Sequence, residues 1–301
     1  MLKLSYFRDY LNVYGQMIGV VILYHPDVVA LIENIKTYIN PLDTLLVYDN
    51  SESLNKELEE AVCGLSEKII YKHFGQNQGI AKRLNQAIEY AVQKGQKHLL
   101  MMDQDSSFHN GDINKYLDHI NENKLERVAQ FGVNCQPAFT LISNTPEKAI
   151  SLITSGSVLA IDCIQKIGMF DEKLFIDFVD TEFSHRIANN GYINLQFTNI
   201  LLNHSIGTKV EGRSLVTFKK SLRIIHSPIR VYYIIRNGLY LLYSDKKATQ
   251  IQKKDIKRTM MVVKNDFIYN PQLFKVYKYA LLGVLDFLAK KMGKRQKVQN
   301  I

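Results

Sequence analysis

The chain has 301 residues, 46% of them hydrophobic, enough for the core of one large domain or two modest ones and too much for a disordered or fibrous protein. Its net charge of +9 is lopsided: Ser205 to Ile301 holds 21 Lys or Arg against 5 Asp or Glu, a balance of +16, whereas Met1 to His204 holds 17 against 24, a balance of −7. Cys63, Cys135 and Cys163 lack both the paired spacing of a zinc site and the density of a disulfide scaffold, so a reducing cytoplasm is the expected compartment.

The N-terminal MLKLSYFRDYLNVYGQM has no continuous apolar core of the kind a signal peptide needs. No later segment offers about 18 uninterrupted apolar residues, so neither export nor a membrane span is expected. IGVVILY, Ile18 to Tyr24, is an apolar run rich in β-branched residues, which suits a strand buried on both faces. Asp27 to Asn40 carries Val28, Leu31, Ile32 and Ile35 at helical spacing and is followed by Pro41. TLLVYDNS, Thr44 to Ser51, is the next strand. KIIYKHF is a short strand, Gly79 to Lys94 an amphipathic helix, and KHLLMMD another strand. This alternation predicts an α/β fold with a mainly parallel sheet covered by helices, and ligands at the carboxyl ends of the strands.

Three polar motifs stand at those ends: Tyr24-His25-Pro26, Asp49-Asn50-Ser51 and Asp103-Gln104-Asp105. Each alone is an ordinary turn former; together they mark one rim. The Asp103 and Asp105 carboxylates, one residue apart where LLMM ends, fit either a bound cation or a solvated turn. GQNQGIAKRLNQAI, Gly75 to Ile88, sets Asn77 and Gly79 before a helix with Lys82 and Arg83 in its first turn, an arrangement suited to a phosphate or to a plain loop. INLQFTNILLNH is an apolar run closing on His204. Beyond it, SLRIIHSPIRVYYIIRNGLYLLY and LFKVYKYALLGVLDFLAKKMGKR mix aromatic and aliphatic residues with Lys and Arg at helical spacing. Such helices fit an anionic membrane surface or a helical subdomain with a solvated basic face. No recognised nucleic-acid motif is present, so no nucleic-acid partner is expected.

The order of YHP, DNS, NQGIAKRLN and DQD resembles family-two, GT-A type inverting glycosyltransferases. TSGSVLAIDCIQKIGMFDEKLFIDFVDTEFSHRIANNGY is similar to that family's acceptor segment, and LNHSIGT with RVYYIIRN resembles its bacterial rhamnosyltransferase branch. The likeness runs from about Ile18 to Asn237. It implies a Rossmann-like nucleotide-sugar fold in residues 1–204 and a basic helical region in 205–301 that completes the site and associates with membrane. It implies Mg²⁺ or Mn²⁺ on Asp105, with Asp103 beside the ribose or on the metal through water, and His204 near the metal or pyrophosphate. Tyr24, His25 and Pro26 would flank the base, Asp49 would accept from the pyrimidine imide, and Asn77, Gly79 and Arg83 would serve the donor.

Inversion also needs a base for the acceptor hydroxyl. The resemblance assigns it to Asp180, with Asp177 the competitor. Glu182 departs from the family pattern and is expected to pair with Arg186 at helical spacing. The function implied is transfer of a deoxyhexose, rhamnose from dTDP-rhamnose, to a lipid-linked O-antigen or capsule intermediate at the inner face of the plasma membrane. Transfer from a UDP-hexose is the alternative. A non-catalytic nucleotide-sugar-binding protein of a glycan assembly complex is a third reading, which the joint presence of Asp103, Asp105 and Asp180 disfavours.

Overall fold

The computed structural model describes residues 17–109, 111–135, 141–204, 207–213, 218–244 and 247–296. The expectations for the first sixteen residues and for Ser205 and Ile206 of the HSIG motif lie outside the described residues. β1 (Met17–Leu23), α1 (Val28–Lys36), β2 (Thr44–Asp49), α2 (Lys56–Cys63), β3 (Ile69–His73), α3 (Ile80–Gln93) and β4 (His98–Asp103) carry out the expected alternation. The helix α2 was not legible as an amphipathic segment of its own. It is short, and Asn55 caps it by accepting from the Leu58 N–H at 3.2 Å.

The chain continues through β5 (Ser106–Phe108), α4 (Asp112–Glu122), β6 (Val128–Asn134), β7 (Glu147–Lys148), β8 (Ser157–Ala160), α5 (Ile161–Ile167), α6 (Val179–Asn189) and β9 (Ile193–His204). The sheet order is β3-β2-β1-β4-β8-β6-β9-β5, with β7 also on β9. β1 pairs in parallel with both β2 and β4, β2 with β3, and β6 with β9, while β8 lies antiparallel between β4 and β6. The sheet is therefore mainly parallel, and its buried Val21, Leu23, Leu45, Val47, Leu100 and Met102 join the helix residues Leu31, Ile35 and Leu58 in one core. Apolar runs on β1, β2 and β4 are continuous because both faces of those strands are covered.

The second part of the chain holds the hairpin β10 (Thr208–Arg213) and β11 (Lys220–Ile225), then α7 (Pro228–Ser244), α8 (Gln250–Met260), a short α9 (Asp266–Tyr269) and α10 (Leu273–Leu288). Here one expectation is corrected: SLRII lies in the strand Lys220–Ile225, and the helix begins only at Pro228, whose fixed φ and missing N–H suit a first helical turn. The described residues form two compact units. One holds those up to Phe170 with Arg186–His204, the other Asp171–His185 with those from 207 onward. The second unit has its own core of Phe178, Val231, Ile234, Leu241, Ile256 and Val276. Within it α10 lies very close to α7: a Cβ at Gly283 would meet the Tyr232 carbonyl at 2.8 Å.

Candidate functional site

Parallel register brings the polar motifs to one rim, since Leu23 stands opposite Asp49 and Ile22 opposite Asp103. The YHP segment is held by Gln104 and Ser51, members of the other two rim motifs, and by Glu52. The Tyr24 N–H donates to Gln104 Oε1 at 2.7 Å, and Gln104 Nε2 returns a bond to the Tyr24 carbonyl at 3.3 Å. The middle residue of DQD thus ties the YHP turn to the acid pair. His25 takes a positive φ of 46°, donates its N–H to Ser51 Oγ at 2.9 Å, and sets its ring 3.0 Å from Glu52. Tyr24 is exposed beside it, the two rings 4.4 Å apart and edge-on.

Asp49 is fully buried. Its carboxylate accepts from the Ser51 N–H and the Tyr71 hydroxyl, both at 2.8 Å. Burial, with the Asp49 carboxylate adding, pushes the Tyr71 hydroxyl up, so it remains a donor. Asn50 stitches the NQG loop to the sheet: its Nδ2 donates to the Gly79 carbonyl at 3.1 Å and its Oδ1 accepts from Arg83 Nε at 2.8 Å. Asn77 Oδ1 accepts from the Gly79 N–H at 2.9 Å, and Gly79 holds a φ of 87° that favours glycine at the start of α3. Arg83 is buried, with its guanidinium carbon 3.5 Å from the Phe74 ring centre and further bonds to Gln86 and the Gln76 carbonyl. It braces this loop from inside.

The acid pair sits on a tight turn, Gln104-Asp105, between β4 and β5. Antiparallel pairing places Ser106 of β5 directly opposite His204 at the end of β9, so the imidazole arrives one residue from Asp105. Ser106 Oγ and His204 Nδ1 are 2.8 Å apart, and that nitrogen is 3.5 Å from Asp105 Oδ1. Asp103, Asp105 and His204 each offer a ligand atom, all within 4.8 Å of one another. Two carboxylates, hard oxygen donors, with one borderline imidazole nitrogen fit Mn²⁺ or Mg²⁺ and leave positions for phosphate oxygens and water. From below, Asn34 donates to the Gln104 carbonyl at 3.0 Å, Thr37 Oγ1 accepts from the Phe108 N–H at 3.1 Å, and Ser155 Oγ accepts from the Asp103 N–H at 3.1 Å.

Asp177 and Asp180 belong to the second unit. Phe175, Asp177 and Phe178 all have positive φ, between 60° and 67°, a conformation that bulky residues hold only when their surroundings impose it. Asn237, fully buried on α7, imposes it here: its Nδ2 serves the carbonyls of Leu174 and Ile176 at 2.8 Å and of Asp177 at 3.0 Å. Arg236 beside it donates Nε to Asn237 Oδ1 at 3.0 Å, which fixes the amide's orientation. Asp177 is occupied by Arg230, which donates to it from Nη2 at 2.5 Å and from Nε at 3.4 Å.

Asp180, at the start of α6, accepts the Thr181 N–H at 2.8 Å. Burial raises its carboxyl above the ordinary range, the Thr181 bond opposes this, and the Asp177 charge adds to it. Glu182 follows in the same turn, while Arg186 donates to the carbonyls of Ile167 and Met169, both at 2.8 Å. Asn237→Leu strips three loop carbonyls of their donor, and we expect a loss of about 3 kcal/mol in chemical denaturation. Wild-type stability in that variant would show that the amide does not clamp the loop.

The family model described as "Glycosyl transferase family 2" matches residues 26–173. A protein from Shigella flexneri described as "dTDP-rhamnosyl transferase RfbF" is 31% identical, over 77% of this chain and 80% of that protein. Among solved structures, the mannosyltransferase PcManGT from Pyrobaculum calidifontis, in complex with GDP-Man and Mn²⁺, superposes with a TM-score of 0.55 at 13% identity, over 91% of this chain and 75% of that one. S. aureus TarS 1-349 in complex with UDP-GlcNAc gives 0.55 at 14% identity, over 91% and 80%. The architecture is that of GT-A type folds.

Proposed function

The chain belongs to glycosyl transferase family 2 and is a glycosyltransferase; within that family we propose that it moves L-rhamnose from dTDP-rhamnose, with inversion and with bound Mg²⁺ or Mn²⁺, onto a lipid-linked O-antigen or capsule intermediate. The observation that carries this reading is the Asp103–Asp105–His204 cluster at the carboxyl rim of the sheet. The named activity of the Shigella flexneri relative supports the choice of donor. Tyr24, His25 and Pro26 flank the base, and Asp49, itself buried and held by Ser51 and Tyr71, would have to be uncovered by donor binding to accept from the pyrimidine imide. Asn77, Gly79 and the amino end of α3 serve the donor's phosphates, with half-buried Lys82 beside them. Arg83 contributes by holding that loop in shape.

A divalent cation on Asp103, Asp105 and His204 would neutralise the diphosphate as the sugar–phosphate bond breaks. Asp180 takes the proton of the acceptor hydroxyl as its oxygen bonds to the anomeric carbon and the nucleoside diphosphate leaves with the old bond's electrons. Its raised carboxyl makes it a stronger proton acceptor than an exposed aspartate. Asp177, paired with Arg230, is a poor candidate for that role. The acceptor's lipid would bring the enzyme to the inner face of the plasma membrane.

A thermal-shift screen tests the donor. With Mn²⁺ present, dTDP-rhamnose at a hundred times its dissociation constant should add about 2.7 kcal/mol of stability. At that same ligand concentration, a larger shift with a UDP-hexose would replace rhamnose as the sugar moved.

A further inference from the structure

The helix α10 is apolar on two faces. One face, with Val276, Ala280 and Gly283, is buried in the second unit. The other carries Phe274, Tyr277, Leu281, Leu285 and Leu288, which recur at the spacing of a single helix stripe and all stand exposed, Phe274 by 94%. A contiguous apolar stripe of this size on a surface helix marks a binding face.

Its charge setting says what fits. Lys275 and Lys278 are exposed on the same helix, and Lys290, Lys291 and Lys294 are exposed just beyond its end. Asp286, the one acidic residue in α10, is engaged within the unit by the Tyr232 hydroxyl at 2.8 Å and by Arg295 at 3.7 Å. The stripe is thus bordered by cations, inside a segment whose sequence balance is +16. A second copy docking by the same stripe would bring like charges together, whereas anionic headgroups around inserted aromatic and aliphatic side chains satisfy both features.

We infer that the Phe274–Leu288 stripe of α10 is a membrane-seating face that inserts into an anionic lipid surface, its lysines engaging the headgroups. This deepens the reading of a lipid-linked acceptor and rests on it for its purpose, although lipid binding is measured without sugar transfer.

The test is co-sedimentation of the full chain with vesicles of phosphatidylcholine alone or mixed with phosphatidylglycerol. Binding should be strong to the mixed vesicles, weak to the neutral ones, and released at 1 M salt, where the Debye length falls to about 3 Å. Phe274→Ser with Leu281→Ser should lower partitioning at least about tenfold. Lys290→Gln, Lys291→Gln and Lys294→Gln together should lower it about 10²-fold at low salt. Both variants alter exposed residues, and each should keep the wild-type melting temperature and donor affinity.

Absence of binding to the mixed vesicles, or equal binding to both kinds, overturns the inference. So does a wild-type dimer in analytical ultracentrifugation that the Phe274→Ser, Leu281→Ser variant dissociates, since a second copy would then cover the face. Lipid binding without turnover of any nucleotide sugar would sink the proposed reaction and leave the seating face standing; turnover without lipid binding would do the reverse.

Discussion

Asp105→Ala should abolish sugar transfer and remove the response of nucleotide binding to Mn²⁺, while the fold melts as the wild type does. The side chain is about half exposed, on a turn rather than in the core, so truncation leaves no cavity. What it removes is an oxygen donor 3.5 Å from the His204 nitrogen, and with it one of the three proposed ligands. A Lewis acid at a leaving diphosphate contributes several kcal/mol, so a turnover loss of about 10³-fold or more is expected. Asp103→Ala should act in the same direction but more mildly if, as proposed, Asp103 serves the ribose or reaches the cation through water. Calorimetric titration of dTDP with and without Mn²⁺ reads both variants. Full activity in Asp105→Ala would rule out a catalytic cation at this turn.

Asp180→Asn should lower turnover by roughly 10²-fold or more with donor affinity retained, because the amide keeps the shape and loses the proton acceptor. The same substitution should stabilise the folded chain. In the folded state the Asp180 carboxyl is raised above its unfolded value, so the ionised form is disfavoured on folding. At neutral pH the carboxyl is ionised in the unfolded chain, so the wild type carries that penalty on folding and the asparagine variant does not. The difference should vanish as pH falls below about 3.9, the unfolded carboxyl's value, where both forms are neutral. Melting temperatures across that range check the sign. A collapse of donor affinity with turnover at saturation unchanged would instead make Asp180 a binding residue and turn attention to Asp177.

What could be read from the sequence was local. Continuous β-branched runs located β1, β2 and β4, and the helical spacing of Val28, Leu31, Ile32 and Ile35 located α1, because each pattern reports burial within its own element. The acids at strand ends were legible for the same reason: an apolar run that stops on Asp103 or Asp49 marks the rim of a sheet. The partners that surround those residues come from far along the chain. His204 reaches Asp105 only through the antiparallel register of β5 and β9, and Arg230 reaches the Asp177 loop from α7. Arg83 shows the cost of local reading. A cation in the first turn of a helix after glycine suits a phosphate, yet Phe74 and Asn50 take its guanidinium into the interior. SLRII shows another. Its apolar residues continue the helical spacing of α7, and only the hairpin with β10, a tertiary partner, makes it a strand. The proline at 228 was the one local sign of where the helix starts.

The proposed reaction depends on a cation held by Asp103, Asp105 and His204 while a nucleotide sugar turns over. The most direct measurement is the release of dTDP from dTDP-rhamnose by the wild-type chain in Mn²⁺, after chelation, and after Mn²⁺ is restored. We expect release in Mn²⁺, its loss on chelation and its recovery on restoration, with none of the three responses in Asp105→Ala. Release that continues unchanged in chelator, or that proceeds at the wild-type rate in Asp105→Ala, contradicts a metal-dependent transfer at this site.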